Sequence, residues 1–289
     1  MPYPPFSISE TTTYPATLEE DLAAYKAAGV DGIGIWEFKL PKGEDARSIE
    51  AVRASGLQAT ICVPDVPCIM PDSYFREPRD PIARRKELCA SIRRFAAFKP
   101  VGVMILSGAP GDNPAADRRA VVEGLKAAAD TAGEVGLELG FEAIRKDAGS
   151  MISTLPETLG IIEDIGAPNI RVIFDAWHFW DLPGIVNDLR KYADRFLCIQ
   201  INDRRQPPRS WADRLLPGDG ELDLPGFFGA LDAGGFRGWY DLEVFSDDGT
   251  WGAAYPDSLY KLKPVDVAKR SVAGFRKAWD KRKVPAASK

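Results

Sequence analysis

The chain has 289 residues, 45% of them apolar and 27% charged, with a formal net charge of −5. It is long enough to bury a sizeable core without a disulfide or metal staple, and 37 Lys and Arg against 42 Asp and Glu, with no basic block, exclude a nucleic-acid partner held mainly by charge. A single histidine, His178, excludes any site built from several imidazoles.

Short apolar, β-branched runs alternate with longer segments of helical spacing from end to end. Phe6–Ser9 precedes a helical pattern at Leu18–Ala28, and Gly32–Trp36 precedes Asp45–Ala54. Leu57–Val63 leads through a Pro-rich loop to Pro81–Phe98, and Val101–Leu106 leads to Ala115–Val135. Leu137–Ala143 is followed by Pro156–Ile165, Ile170–Phe174 by Ile185–Ala193, Phe196–Ile201 by Leu224–Ala233, and Trp239–Phe245 by Pro264–Asp280. Glycine closes five of these helices, directly at Gly29, Gly136, Gly166 and Gly234 and one residue on at Gly56, where a C′ residue takes positive φ. Unbroken strand–helix alternation means parallel strands joined by crossovers. Eight units of about 36 residues suit one closed (β/α)8 barrel of the α/β class. No βα junction carries a Gly-rich phosphate turn, as an open doubly wound sheet often would. We expect one domain over residues 1–280 and a flexible tail at 281–289.

Cys62, Cys68, Cys89 and Cys198 form no CxxC pair and read as small core residues of a reducing compartment. The first residues lack the basic and apolar regions of a signal peptide, and no run approaches the ~18 apolar residues of a membrane helix. The expectation is a cytoplasmic protein with no membrane and no nucleic-acid partner.

In such a barrel the chemistry sits where the strands end. Strand five carries Glu142, strand six Asp175 with His178 three residues on, strand seven Gln200, Asn202 and Asp203, and strand eight Glu243. A lone acid at a strand end commonly anchors a loop or pairs with a base. Three acids ending otherwise apolar neighbouring strands point to a cation, because close carboxylates repel and raise one another's pKa. Glu142, Asp175 and Glu243 are therefore candidate metal ligands, with Gln200 as a neutral oxygen donor. An oxygen-rich set favours one Mn²⁺ or Mg²⁺, with Co²⁺ and Zn²⁺ as further candidates. His178, on a loop of the same face, is a candidate for substrate contact or proton transfer. Glu37 and Lys39 after strand two, and Trp177 after strand six, are candidate substrate contacts.

The segments GFEAI (Glu142), FDAWH (Asp175, His178), CIQINDRR, RLLPGDGELDLPGFFGAL and GGFRGWYDLEVF (Glu243) resemble the xylose isomerase-like barrel superfamily. The likeness is to its sugar isomerase/epimerase branch, the D-tagatose 3-epimerase and hydroxypyruvate isomerase relatives, and it runs over nearly the whole chain. It implies a metal held by Glu142, Asp175, Gln200 and Glu243. Gln200 stands where the epimerases usually have His, as in the hydroxypyruvate isomerase branch. It further implies that Glu142 and Glu243 act as acid–base residues on opposite faces of a hydroxy-ketone and that His178 grips a substrate oxygen. An arginine after strand seven shares that task. Arg205 is the candidate, with Arg204, Arg209 and Arg214 as alternatives. Relatives commonly self-associate, which implies a homo-oligomer, or a hetero-oligomer if the chain is a deglycosidase subunit.

The function expected is a metal-dependent isomerase or epimerase of a keto sugar or related polyol. The alternative is a lyase using the same site for elimination, such as a 3-keto-glycoside deglycosidase or an inosose-type dehydratase. Three-zinc abasic-site endonuclease chemistry needs several His ligands and does not fit. A non-catalytic barrel is disfavoured by the complete Glu/Asp/Gln/Glu set. Trp36, Trp177, Trp180, Trp211 and Trp251 fall on or after strand ends, where indole faces stack on sugar C–H faces or close barrel-to-helix contacts, and as a group they favour a pyranose or glycoside. The loop Pro64–Pro81 reads as a lid, or as a segment burying Ile69 and Met70 against a neighbouring subunit.

Overall fold

The computed structural model describes residues 3–283. Eight parallel strands close into a barrel: β1 (Phe6–Ser9), β2 (Gly32–Trp36), β3 (Gln58–Val63), β4 (Gly102–Leu106), β5 (Leu139–Glu142), β6 (Ile170–Asp175), β7 (Phe196–Ile201) and β8 (Trp239–Leu242). Strand β8 pairs with both β7 and β1, which completes the cylinder. The main crossover helices are α1 (Leu18–Ala28), α2 (Asp45–Ser55), α3 (Pro81–Phe95), α4 (Pro114–Glu134), α5 (Leu155–Ile165), α6 (Ile185–Lys191), α7 (Leu224–Ala233) and α8 (Pro264–Asp280). The expected units are all present, with ends shifted by a few residues.

Local chemistry sets those ends. Helices α1 and α5 begin with capping boxes, Thr17 with Glu20 and Thr154 with Glu157, which satisfy otherwise orphaned N–H groups reciprocally. Gly29, Gly56, Gly136 and Gly166 take the left-handed conformation expected of them, but Gly234 does not. Its φ is −76°, and the turn to positive φ falls on Gly235. Gly234 answers a different demand, since a Cβ there would lie 2.4 Å from the Arg190 carbonyl oxygen. The first residues of the segment expected as a tail, from Lys281, make contacts with the barrel's helices. Lys283 N–H bonds the Pro225 carbonyl and Arg282 pairs with Asp232, while residues 284–289 lie outside the described residues.

Apolar side chains fill two spaces. The larger cluster lies between barrel and helices, as where Phe6 stacks on Phe275 at 4.5 Å. The smaller includes Met104, Ile173 and Leu197. Leu197 lies against the α-carbon positions of both Gly102 and Gly140, on strands that do not neighbour its own, so it points into the barrel. Among the described residues no helix is long and apolar enough to cross a membrane.

The Pro64–Asp80 loop folds over the mouth on this chain's own core. Ile69 is buried against Gly124 of α4, so it is not available to a neighbouring subunit. A fully buried arginine holds the loop: Arg84 donates to the carbonyls of Cys68 (2.8 Å), Phe75 (2.8 Å) and Pro78 (2.9 Å). Arg84→Met keeps the length but strands those carbonyls. It is expected to cost about 2–4 kcal/mol. Denaturant titration, with limited proteolysis reporting new cleavage between residues 64 and 80, checks this; unchanged stability and cleavage would refute the anchoring role.

Candidate active site

Glu142 ends β5, Asp175 ends β6, Gln200 lies in β7, and Glu243 directly follows β8. The ladder places Asp175 opposite Gln200, and Asp241 opposite Gln200 from the other side. All four side chains are buried. Asp175 also caps a single helical turn, Ala176–Phe179, by accepting the Trp177 N–H at 2.9 Å, and this turn carries His178 back over the strand ends.

Three of the four expected ligands, Asp175, Gln200 and Glu243, are tied into one hydrogen-bonded group by Asn202 and Arg214. Gln200 Nε2 donates to Glu243 Oε1 at 3.0 Å, and Asn202 Nδ2 donates to Asp175 Oδ1 at 2.7 Å. Arg214 Nη1 spans Asp175 Oδ2 (2.8 Å) and Glu243 Oε2 (3.1 Å). Of the four expected ligands, Glu142 and Gln200 each keep an oxygen, Oε1, buried with no hydrogen-bond partner, as does Asn202 Oδ1 beside them. Burial, then the charges of Asp175 and Glu243, push the Glu142 carboxyl far above its ordinary range. Burial raises Glu243 to about 8 although Arg214 pulls it down. For Arg214, burial opposes the charge, but Asp175, Glu243 and Glu142 together hold its pKa above the usual value.

Ligand-type atoms of Glu142, Asp175 and His178 lie within 4.8 Å of one another. The imidazole nevertheless fits a donor's role. His178 Nδ1 accepts the Arg145 backbone N–H at 3.4 Å, and burial lowers its pKa to about 4, so the neutral ring carries its proton on Nε2. That nitrogen faces Glu142 and Asp175, each at 3.8 Å.

The residues fit a divalent cation. Three buried carboxylates against one guanidinium leave a formal charge of −2 when all are ionised, and two inward oxygens lack partners. The donor set is oxygen-dominated, which suits a hard or borderline ion. Glu142, Asp175, Gln200 and Glu243 would hold it.

Above this floor opens a cavity of about 460 Å³, within the range of small-molecule sites. Glu142, His178, Arg214 and Glu243 reach it, and Trp177 lines it, with the Arg214 guanidinium 5.2 Å over its ring. Trp36, Trp211 and Trp251 line it too. Trp180 does not, and instead stacks under Arg204 at 3.8 Å.

Three expected substrate contacts are placed elsewhere. Glu37 accepts from Arg94 Nη1 (3.0 Å), Ser91 Oγ (2.6 Å) and the Asp65 N–H (2.9 Å) on the helix side of the barrel. Lys39 is buried in an ion pair with Asp21. Arg205 pairs with Asp213 and Asp257 outside the cavity. The arginine of the site is Arg214. A two-residue ribbon, Asp203–Arg204 against Arg214–Leu215, folds the long excursion after β7 back over the mouth and delivers it. The GDG segment supports that ribbon: Asp203 accepts the N–H groups of Gly218 (2.9 Å), Gly220 (3.1 Å) and Leu222 (3.0 Å).

Lys39 shares its surroundings with Glu10, a fully buried acid whose Oε2 accepts the Trp36 N–H at 2.8 Å. Burial raises Glu10 to about 8, and burial also raises Asp241 to about 7. A raised carboxyl pKa means the folded state holds its proton where the unfolded chain has released it, so stability falls as pH rises toward the folded value. His178, lowered to about 4, acts in the opposite sense only below its unfolded pKa of about 6.5. Between pH 6.5 and 8 the protein in chelator is therefore expected to lose about 1–2 kcal/mol through Glu10 alone. Urea titrations across that window should give a shallower pH slope for Glu10→Gln; an identical slope would refute the assignment.

Residues 22–276 match the family described as xylose isomerase-like TIM barrel. Over 252 residues, 82% of this chain, the sequence is 28% identical to a 3-dehydroshikimate dehydratase of Pseudomonas putida, and the match spans 37% of that protein's length. A stretch of 130 residues is 25% identical to a D-psicose 3-epimerase of Enterocloster bolteae, covering 45% of this chain and 40% of that one. The solved structure of IolI protein with a bound zinc atom superposes with a TM-score of 0.79 at 18% identity, covering 96% of this chain and 99% of that one. The last likeness is one of fold. Closed barrel, strand-end site and sequence match agree: the chain belongs to the xylose isomerase-like TIM barrel family.

Proposed function

We propose that the chain is a divalent-metal-dependent enzyme that removes the proton next to a carbonyl in an uncharged cyclic keto sugar or keto-glycoside, and that the outcome is elimination of a β-substituent. The observation that carries the reading is the unequal state of the two glutamates. Glu243 has both carboxylate oxygens held, by Gln200 and Arg214, whereas Glu142 keeps a buried oxygen without a partner. An epimerase needs two groups free to exchange a carbon-bound proton on opposite faces. This arrangement offers one carboxylate with an oxygen that no hydrogen bond holds and one with both oxygens held, which suits a one-base reaction. The extended match to a dehydratase supports the same outcome.

The site argues for an uncharged substrate. Among the described residues Arg214 is the only Lys or Arg lining the cavity, and it is already paired with two carboxylates. A bound divalent cation would supply Lewis acidity toward the substrate carbonyl and the counter-charge that keeps the carboxylates ionised. Glu142 takes the proton as the C–H bond breaks. The electron pair forms a C=C bond as the β C–O bond breaks, and the departing oxygen takes up the proton that Glu142 removed, which restores the carboxylate. His178 Nε2–H and Arg214 Nε, a buried donor with no partner, orient the substrate oxygens. The aromatic walls keep water from the carbanion.

Isomerisation or epimerisation shares the first step and differs in the fate of the carbanion. Incubation with keto sugars and 3-keto glucosides in D₂O with Mn²⁺ or Mg²⁺, followed by NMR, separates the outcomes. Release of the β-substituent as an unsaturated ketone forms is expected. Deuterium uptake into an epimer or isomer would replace the lyase reading by the isomerase one. No exchange, no release and no metal uptake would overturn both.

A further inference from the structure

The aromatic residues of the cavity form a closed circuit. Tyr14 meets Phe38 (5.5 Å between ring centroids), Phe38 meets Trp36 (5.5 Å), and Trp36 meets Phe245 edge-on (6.0 Å). Phe245 meets Trp211 (5.4 Å), Trp211 meets Trp251 (5.3 Å), and Trp251 returns to Tyr14 (5.1 Å). All six line the cavity; Trp36 ends β2, and the other five come from the segments following β1, β2, β7 and β8. Tyr74 of the Pro64–Asp80 loop touches Trp211 from across the mouth at 4.9 Å. Phe38 and Tyr74 remain 46% and 53% exposed, so the apolar surface continues to the rim. Aliphatic groups of Val63, Met104, Leu106 and Ile144 also line the cavity. The Trp251 indole N–H is buried without a partner.

Apart from Asp72 of the Pro64–Asp80 loop, whose carboxylate accepts the N–H groups of Tyr74 and Phe75, the charged groups lie on the floor, and the ring circuit carries no charge. A sugar alone needs the floor and one stacking face; it does not need six mutually contacting rings reaching the rim. The geometry points to a second subsite beside the metal floor, which takes an uncharged planar aromatic group attached to the sugar. The preferred ligand is then an aryl glycoside, with its sugar on the Glu142–His178–Arg214–Glu243 floor and its ring against the Trp211–Trp251 wall. This inference deepens the proposed function and rests on it for the sugar end. In the elimination described above, the aryl group leaves with the β oxygen.

Binding separates the two ideas, because ordinary glucosides lack the carbonyl and do not react. Calorimetric titration of the full chain with 4-nitrophenyl β-D-glucopyranoside should give a Kd about tenfold or more below that for methyl β-D-glucopyranoside. A 4-carboxyphenyl glucoside should lose most of that advantage. Trp211→Leu and Trp251→Leu, tested separately so that a folding defect in one does not decide the matter, should bring the aryl and methyl ligands within about threefold of each other. Equal wild-type affinity for the two glucosides, full retention of the aryl preference in both variants, or equally tight binding of the carboxylate would overturn the subsite. Failure of deuterium exchange with a keto sugar, with the aryl preference intact, would overturn the chemistry and leave the subsite standing.

Discussion

Glu142→Gln is expected to lower turnover by about 10²–10⁴-fold while changing KM only a few-fold. The substitution keeps the size of the side chain and one carbonyl-type oxygen, and removes the group that accepts the proton. Its loss should appear equally in product release and in deuterium exchange, because both follow the same C–H cleavage. Glu243→Gln is expected to behave differently. Its oxygens are held by Gln200 Nε2 and Arg214 Nη1, so replacing it disturbs the charge balance of the metal group first. Metal content after dialysis should fall more for Glu243→Gln than for Glu142→Gln. If Glu243→Gln abolished exchange with metal retained and Glu142→Gln did not, the two roles would be reversed. If neither variant changed turnover or metal content, the metalloenzyme reading would be refuted.

The parts of this site that were legible in the sequence are those a strand fixes. Glu142, Asp175, Gln200 and Glu243 stand at or near the ends of apolar runs, and parallel pairing brings the ends of neighbouring strands together. What strand position does not fix is the direction of a side chain just past the end. Glu37 and Lys39 follow β2 on a single 3-10 turn, which swings them toward Arg94 and Asp21 and away from the cavity. Arg214 was not distinguishable from Arg204, Arg205 and Arg209 by composition. Only the ribbon Asp203–Arg204 with Arg214–Leu215 selects it, through backbone pairing across a long excursion. The GDG segment served as a family signature, yet its physical role is to give the Asp203 carboxylate backbone donors, and a Cβ on Gly220 would lie 2.4 Å from the Arg204 carbonyl oxygen. The aromatic circuit was visible only as scattered tryptophans. Its closure depends on Tyr14, Phe38 and Phe245, which no spacing rule links to them.

Arg214→Leu in chelator is expected to destabilise the protein by about 3–5 kcal/mol at pH 8, because it leaves buried carboxylates without their only positive partner. For a chain of 289 residues that corresponds to a Tm lower by roughly 5–8 °C. The sign of its pH dependence follows from the same charges. Glu142 and Glu243 are already pushed upward by burial, so without the guanidinium they hold protons to still higher pH. Protonation relieves the repulsion, and the defect should shrink as pH falls from 8 toward 5.5. Mn²⁺ or Mg²⁺ should restore most of the lost Tm, since a dication replaces the missing charge by mass action on the folded state. Arg214→Lys should fall between wild type and Arg214→Leu, because one ammonium keeps the charge without the planar fork. Thermal melts of the three proteins at both pH values, with chelator and with metal, decide the matter. A Leu variant as stable as wild type in chelator at pH 8 would show that the carboxylates need no counter-charge. A Leu variant rescued by acid but not by either metal would show that this group of oxygens does not hold a divalent ion.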